Sequence, residues 1–357
     1  MVDPLRGLTS TVVTVNNGRR IHYVEAGSGP LVLLIHGFPE SWYSWRHQLR
    51  VLADAGYRAV AVDTLGYGRS SKPFDFAEYR LVQLVEDYVG LVAALGETRA
   101  VAVGHDWGGP QAWAAAWLRP DIFRAVVGVT VPFAARGLVG FPGNPFGEIR
   151  PSVNKRDIAG ADLLLYQEFC ELPHVPEKEA EEDLRGWLLD VYFSLSGDAP
   201  QPEAFADRDM TQLSDAEIIQ WLRSTGFTVV PGRPWRERFV SPEKLPGWLT
   251  DADLDFYAQE FERTGMTGAF NYYRCNELNW ETLGTWQEKK IEVPSLFIGA
   301  DKDCVTIWSR QAQLRQHEFL TNAHDPVIIE NCGHWVQQER PEEFNAALLG
   351  FLRAIDS

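Results

Sequence analysis

Cysteine is scarce in this chain: four residues in 357, at Cys170, Cys275, Cys304 and Cys332, with no CxxC or other metal-ligand spacing. That argues against a disulfide-stapled secreted scaffold and against a cysteine metal site, so free, mostly buried thiols are expected. Positive charge is also in short supply. Lys and Arg number 33 against 49 Asp and Glu, a net charge of −16. A polyanionic partner, whether nucleic acid or an anionic membrane surface, is disfavoured by that balance. The acidic residues are spread along the chain, as solubility requires, rather than gathered into a patch for cationic substrates. No apolar run approaches the ~20 residues needed to span a bilayer. The opening MVDPLRGLTSTVVTVNNG lacks the basic, apolar, small-residue order of a secretory signal. Internal repeats and low-complexity tracts are missing as well, and a cytoplasmic protein is expected by default. With 45% hydrophobic and 23% charged residues the chain reads as ordinary globular protein, long enough for two domains or one with a large insertion.

Apolar, β-branched runs alternate with helical patterns over the first third. TVVTV and RIHYVEA flank NNG, whose Asn-Gly suits a tight hairpin turn with positive φ. LVLLIHG (31–37), YRAVAVD (57–63), RAVAVGHD (99–106) and FRAVVGVTVP (123–132) have the unbroken apolar character of strands buried on both faces. Leu81, Leu84, Val85, Tyr88, Val92 and Leu95 fall at helical spacing, with Gly96 as a stop. The rhythm returns with VPSLFIGADKD (293–303), a helical stretch near 307–320, PVIIENCGH (326–334) and a last helix from about Pro341. Such alternation implies an α/β fold, a mostly parallel sheet with helices on both faces. Residues 134–285 break it: they open on Gly and Pro, then turn aromatic and acidic with helical patches and no convincing buried strand. The stretch is too long for a loop and reads as an inserted helical cap. The expected division is therefore 1–133 and 286–357 for the two parts of the core, with 134–285 as the cap.

Three polar residues stand past the C-terminal ends of expected strands: Asp106, Asp303 and His334. Open parallel sheets bind their ligands there. VAVGHDWGGP is a strand, a small–x–nucleophile–x–small turn and a helix start, the arrangement of the α/β-hydrolase elbow with aspartate in the serine position. Asp106 as a mere helix N-cap would leave the surrounding Gly104, Gly108 and Gly109 unexplained. The order nucleophile, acid, histidine is the one this fold uses, which makes His334 in NCGHW the expected base. For the acid, Asp301 and Asp303 of GADKD stand equal by position. HGFP places the Phe38 N–H to join that of Trp107 as an oxyanion hole. His36 and His105 lie near the same site, but without HxxxH or HExxH spacing they read as loop-orienting residues rather than zinc ligands. Trp42 and Trp45 read as core.

A carboxylate is a weak nucleophile towards esters and amides but displaces a leaving group at saturated carbon, giving an alkyl ester of the enzyme. Histidine-activated water then attacks that ester. A halide leaving group needs anion-cradling donors; an epoxide oxygen needs a proton donor, for which tyrosine is suited. Tyr166, Tyr192, Tyr257, Tyr272 and Tyr273 are the candidates in the expected cap.

HGFPESWYSWR, DTLGYGRSS, GHDWGG, NYYR and CGHW, in that order, resemble the epoxide hydrolases of the α/β-hydrolase fold over nearly the whole length, in particular the soluble actinobacterial ones. The resemblance implies conversion of epoxides and water to vicinal diols. It implies Asp106, His334 and Asp303 as the triad, Asp303 standing directly ahead of CVTIW, and Tyr166 of LLLYQEF with Tyr273 of NYYR as the ring-opening pair. Its partners are a small-molecule epoxide and water, with no cofactor, metal, nucleic acid or membrane span, and a homodimer left open. Three other readings use the same fold. A haloalkane dehalogenase shares the aspartate elbow but usually carries Asn where Phe38 stands, and a fluoroacetate dehalogenase places Arg where Trp107 stands. A non-catalytic small-molecule receptor would have no need of the triad and two tyrosines.

Overall fold

The computed structural model describes Leu5, residues 7–206 and residues 208–357. Strand β1 (Thr9–Thr14) pairs antiparallel with β2 (Arg20–Ala26), Thr9 opposite Glu25 and Thr14 opposite Arg20. Between them lies a 3₁₀ turn, Asn16–Gly18, closed by the Val15 N–H on the Arg19 carbonyl at 2.7 Å and with Gly18 at φ 76°. Then follow β3 (Leu31–Ile35), α1 (Arg46–Asp54), β4 (Arg58–Val62), α2 (Leu81–Ala94), β5 (Ala100–His105), α3 (Gly108–Leu118) and β6 (Phe123–Val129). Gly96, at φ 76°, ends the α2 segment as its place in the sequence predicts.

From β6 the chain runs through helices α4 (Pro151–Ala159), α5 (Tyr166–Glu171), α6 (Val175–Glu182), α7 (Leu184–Ser194), α8 (Asp215–Ser224), α9 (Asp251–Thr264), α10 (Thr267–Arg274) and α11 (Asn276–Leu283). Capping boxes start two of them, Ser214 with Glu217 and Thr250 with Asp253. Here the sequence reading misses two strands: β7 (Leu164–Leu165) and β8 (Thr228–Val229) pair antiparallel. Two residues are too few to carry a period-2 pattern, so nothing in the sequence announces them. The chain then returns to the sheet as β9 (Ser295–Ala300), α12 (Cys304–Trp308), α13 (Arg310–Arg315), β10 (Val327–Ile329), α14 (Val336–Glu339) and α15 (Pro341–Asp356). The helical stretch expected near 307–320 is thus broken into pieces and begins earlier, because Asp303 caps it with its side chain on the Val305 and Thr306 N–H groups.

Eight strands form one sheet in the order β1-β2-β4-β3-β5-β6-β9-β10, antiparallel from β1 to β4 and parallel beyond. The central strands are buried on both faces, and their alternate residues feed two cores. Leu31, Leu33, Ile35, Ala100 and Ala102 meet Leu84, Tyr88 and Trp113 of α2 and α3 on one side. Val32, Leu34, Val101 and Val103 meet Leu49, Leu52, Phe344 and Leu348 of α1 and α15 on the other. Each Val, Leu, Ile or Phe side chain fully buried here is worth about 1.5–3 kcal/mol relative to exposure, which explains why no polar residue interrupts these runs until the strands end. Asp106, Asp303 and His334 stand beyond the ends of β5, β9 and β10. Among the described residues no helix is long and apolar enough to cross a membrane.

Candidate active site

Asp106 directly follows β5, with φ 50°, in the left-handed region that L-residues seldom adopt. The turn is possible only because its neighbours have no side chain in the way: a Cβ on Gly104 would lie 1.9 Å from the Gly108 carbonyl oxygen, and one on Gly108 2.1 Å from that of Ile35. The strain points the Asp106 carboxylate out of the sheet. Its Oδ1 accepts the Phe38 N–H at 2.7 Å. Trp107, the second expected donor, follows Asp106 directly and forms the N-cap of α3.

His334 Nε2 lies 3.4 Å from Asp106 Oδ2, and its Nδ1 is 2.7 Å from Asp303 Oδ1. Asp303 Oδ2 accepts both the backbone N–H and the hydroxyl of Thr306, each at 2.7 Å. Burial would lower the His334 pKa; the charge of Asp303 and then the hydrogen bond to Asp106 outweigh it, and the ring is pushed up to about 10. Burial likewise disfavours the charged form of Asp303, yet His334 and the Thr306 donors hold its carboxyl below the ordinary range. Asp301, equal to Asp303 by sequence position, turns aside: its Oδ1 accepts the Cys332 N–H at 3.1 Å and ties the loop that carries His334.

The five tyrosines separate equally clearly. Tyr192 donates to the Pro39 carbonyl, Tyr257 to Gln338 Oε1 and Tyr272 to the Leu65 carbonyl, at 2.7, 3.0 and 2.8 Å, so their hydroxyls are engaged in packing. Tyr166 and Tyr273 instead line the cavity that holds Asp106 and His334. Their rings meet edge to face at 5.9 Å. Tyr273 also stands edge-on to Phe38 and Trp107, both at 5.2 Å. Gln167 Nε2 donates to the Tyr166 hydroxyl oxygen at 3.2 Å. Burial pushes both phenols well above their ordinary value, so each keeps its proton to donate.

The cavity encloses about 360 Å³. Trp308, Trp235, Phe227 and Val191 supply apolar wall, and the more exposed lining residues Pro200, Ser224 and Lys302 mark its mouth. That volume suits a small or medium organic molecule held largely by apolar contact. Asp303, Cys304 and His334 bring a carboxylate, a thiol and an imidazole within 4.8 Å of one another, the one such group found among the described residues. As a metal set it is poor, because His334 Nδ1 and Asp303 bond each other and burial, with the Asp303 charge, keeps the Cys304 thiol protonated.

His36 and His105 sit behind the site. The buried, neutral His36 donates from Nδ1 to the Gly37 carbonyl at 2.9 Å and accepts the Thr64 N–H at Nε2 at 3.1 Å, which orients the Phe38 loop. His105 bridges Glu40 Oε2 and the His334 carbonyl, each at 2.8 Å. Glu40 is a residue the sequence reading passes over, although it ends the HGFPE run. It also accepts the Gly37 N–H at 2.9 Å, and the His105 charge overcomes burial to hold its pKa at about 2. The loop bearing Phe38 and the loop bearing His334 are thereby joined through one buried pair. Trp42 and Trp45 are buried in the core on the α1 side of the sheet.

Comparison with known proteins places these features in context. Residues 30–146 match the family model described as the alpha/beta hydrolase fold. Over 340 residues the chain is 46% identical to epoxide hydrolase B of Mycobacterium tuberculosis, covering 94% of this chain and 96% of the relative. An epoxide hydrolase from an endophytic Streptomyces superposes with a TM-score of 0.87 at 44% identity, over 98% of this chain and 97% of that one. Epoxide hydrolase A from Mycobacterium thermoresistibile does so at 0.82 and 36%, over 97% and 98%.

Proposed function

The chain belongs to the epoxide hydrolases of the α/β-hydrolase fold, and from that premise we propose that it opens its epoxide by covalent catalysis on Asp106. The observation that carries the proposal is the Asp106 carboxylate itself. It sits at φ 50° on the elbow, held by the Phe38 N–H at 2.7 Å, and shares one cavity with His334 and two protonated tyrosines.

In the first half-reaction an Asp106 oxygen attacks one epoxide carbon as the carbon–oxygen bond of the ring breaks. Tyr166 and Tyr273 donate to the departing oxygen, which takes a proton from one of them and becomes the first hydroxyl of the diol. The product is a hydroxyalkyl ester of Asp106. Alkylation removes the Asp106 charge, one of the two carboxylates that raise His334. The imidazole pKa therefore falls as the ester forms, its proton passes to the tyrosinate left by ring opening, and the neutral ring becomes a competent base at the moment one is needed. In the second half-reaction His334 takes a proton from water, which attacks the Asp106 carbonyl carbon. The Phe38 and Trp107 N–H groups hold the oxyanion. The tetrahedral intermediate then expels the diol oxygen, which takes its proton from His334, and the new Asp106 carboxyl gives its own proton back to the imidazole to restore the starting ion pair, while Asp303 holds the ring in place and stabilises its charge.

Residues 134–285 act, in this reading, as a cap that brings the tyrosines over the sheet-borne groups. Four free, buried thiols support a cytoplasmic setting for the enzyme. A homodimer belongs to the same reading and is checked by light scattering. The decisive experiment is a single turnover of styrene oxide in ¹⁸O-water with enzyme in excess. The diol should carry unlabelled oxygen and the label should appear in a peptide containing Asp106. Label entering the diol directly at the first turnover would make water the attacking species and end the covalent reading.

A further inference from the structure

Glu339 is a half-buried residue whose carboxylate the chemistry above does not use. Its Oε2 accepts the backbone N–H groups of Gly333 at 3.0 Å and Gly197 at 2.9 Å, and its Oε1 accepts that of Trp335 at 3.0 Å. Gly333 and Trp335 bracket His334. Gly197 lies across from them, just beyond the end of α7. The two segments also bond directly: the His334 N–H donates to the Leu195 carbonyl at 2.9 Å, and Trp335 Nε1 to that of Tyr192 at 2.7 Å. They pack backbone against backbone, since a Cβ on Gly333 would lie 2.1 Å from the Gly197 nitrogen and one on Gly197 2.8 Å from the Gly333 nitrogen.

A carboxylate with three N–H donors satisfies a loop, and that alone would be a stabilising role. Two features go further. The donors include both neighbours of the base, so any shift of the carboxylate moves His334 with it. The third donor adjoins Leu195 and Ser196, which line the reaction cavity. We propose that Glu339 is a positioning residue for the hydrolytic half-reaction, locking the His334 loop to segment 195–197 so that Nε2 is aimed at the attacking water only while the cap is seated. The proposal rests on the reading of His334 as the base. Alkylation does not need that aim, because Asp106 attacks and the tyrosines supply the proton; ester hydrolysis does.

The test separates the two steps by rapid quench with styrene oxide, following intact-protein mass for the alkyl-enzyme and product for the diol. Glu339→Gln keeps the side-chain volume but turns an amide N–H₂ towards backbone N–H groups. Gly197→Ala keeps the Glu339 carboxylate but sets a Cβ 2.8 Å from the Gly333 nitrogen and 3.1 Å from Glu339 Oε2, pressing on the same junction from the other side. Each should slow hydrolysis by about 10²-fold, the scale of a misplacement near 1 Å, while alkylation stays within about threefold and the alkyl-enzyme accumulates. Should one variant fail to fold, the other gives the answer. A parallel fall of both steps, or no change in either, reduces Glu339 to a stabilising residue and overturns the proposal. If His334→Gln itself accumulates no adduct, the base assignment falls instead, so the two failures are distinguishable.

Discussion

Asp106, Asp303 and His334 come from the sheet, Tyr166 and Tyr273 from the helical region, and the two sets are held by opposite means. Each sheet residue sits in a loop beyond a strand and is fixed by hydrogen bonds: Asp106 by the Phe38 N–H, Asp303 by Thr306, His334 by Asp303. The tyrosines are fixed mainly by ring packing, Tyr273 against Phe38 and Trp107, Tyr166 against Phe227 and Trp235. Charge that must act at one atom needs directional bonds and short backbone spans. A phenol that must reach over a variable substrate needs only a rigid wall behind it. One half of the site is therefore defined by electrostatics and the other by shape, and substitutions should fail differently in each.

The largest effects should fall on the sheet side. Asp106→Ala should lower diol formation by about 10⁴-fold or more, the scale of losing a covalent nucleophile, with no adduct in the mass spectrum. His334→Gln should stop turnover as completely, yet gain the mass of one substrate. An Asp106 variant that forms adduct, or a His334 variant that turns over, would break the division of labour between them.

On the helical side, Tyr166→Phe and Tyr273→Phe should each slow alkylation by about 10²-fold, the usual loss for one donor to a developing oxyanion. The double variant should be close to inactive. Packing survives, so thermal stability should change little. Tyr272→Phe supplies the contrast: it should leave alkylation intact and cost about 1 kcal/mol in denaturant unfolding, because its hydroxyl holds the Leu65 carbonyl. Impaired ring opening in Tyr272→Phe with none in Tyr273→Phe would reverse the reading of that helix.

The electrostatic half should also show in stability against pH. His334 is raised from 6.5 to about 10 in the folded protein. Its contribution is therefore fully present below pH 6.5 and is lost as pH rises through about 10. Denaturant midpoints measured near those two limits should fall more for the wild type than for His334→Gln; parallel curves would mean the ion pair adds nothing to folding. The smallest change expected is Thr306→Val. It removes one of two Thr306 donors to Asp303, worth about 1 kcal/mol, and should slow hydrolysis several-fold without touching alkylation.

The succession of strands along the chain, the buried parallel sheet and the aspartate elbow were legible in the sequence because local composition dictates them. Runs such as LVLLIHG can only be buried strands, and GHDWGG permits a turn that side chains at 104 and 108 would block. Residues adjacent in sequence carry that information whole. The choice between near neighbours was not legible in composition or spacing, and only the family resemblance favoured Asp303 and Tyr273. Asp301 and Asp303 differ by two positions past one strand, and only the packing of the 331–335 loop brings the second against His334 and spends the first on Cys332. Tyr272 and Tyr273 are consecutive on one helix, about 100° apart around its axis, and the contacts of that helix with Leu65 and Trp107 decide which hydroxyl faces the cavity. The pair of Glu40 with His105 and the junction at Glu339 join segments separated by 65 and 142 residues. Sequence by itself determined the kinds of groups this protein brings to its chemistry and the strand ends that present them. Tertiary structure decided which of two neighbouring candidates meets which partner, because side-chain direction is set by contacts that arrive from distant parts of the chain.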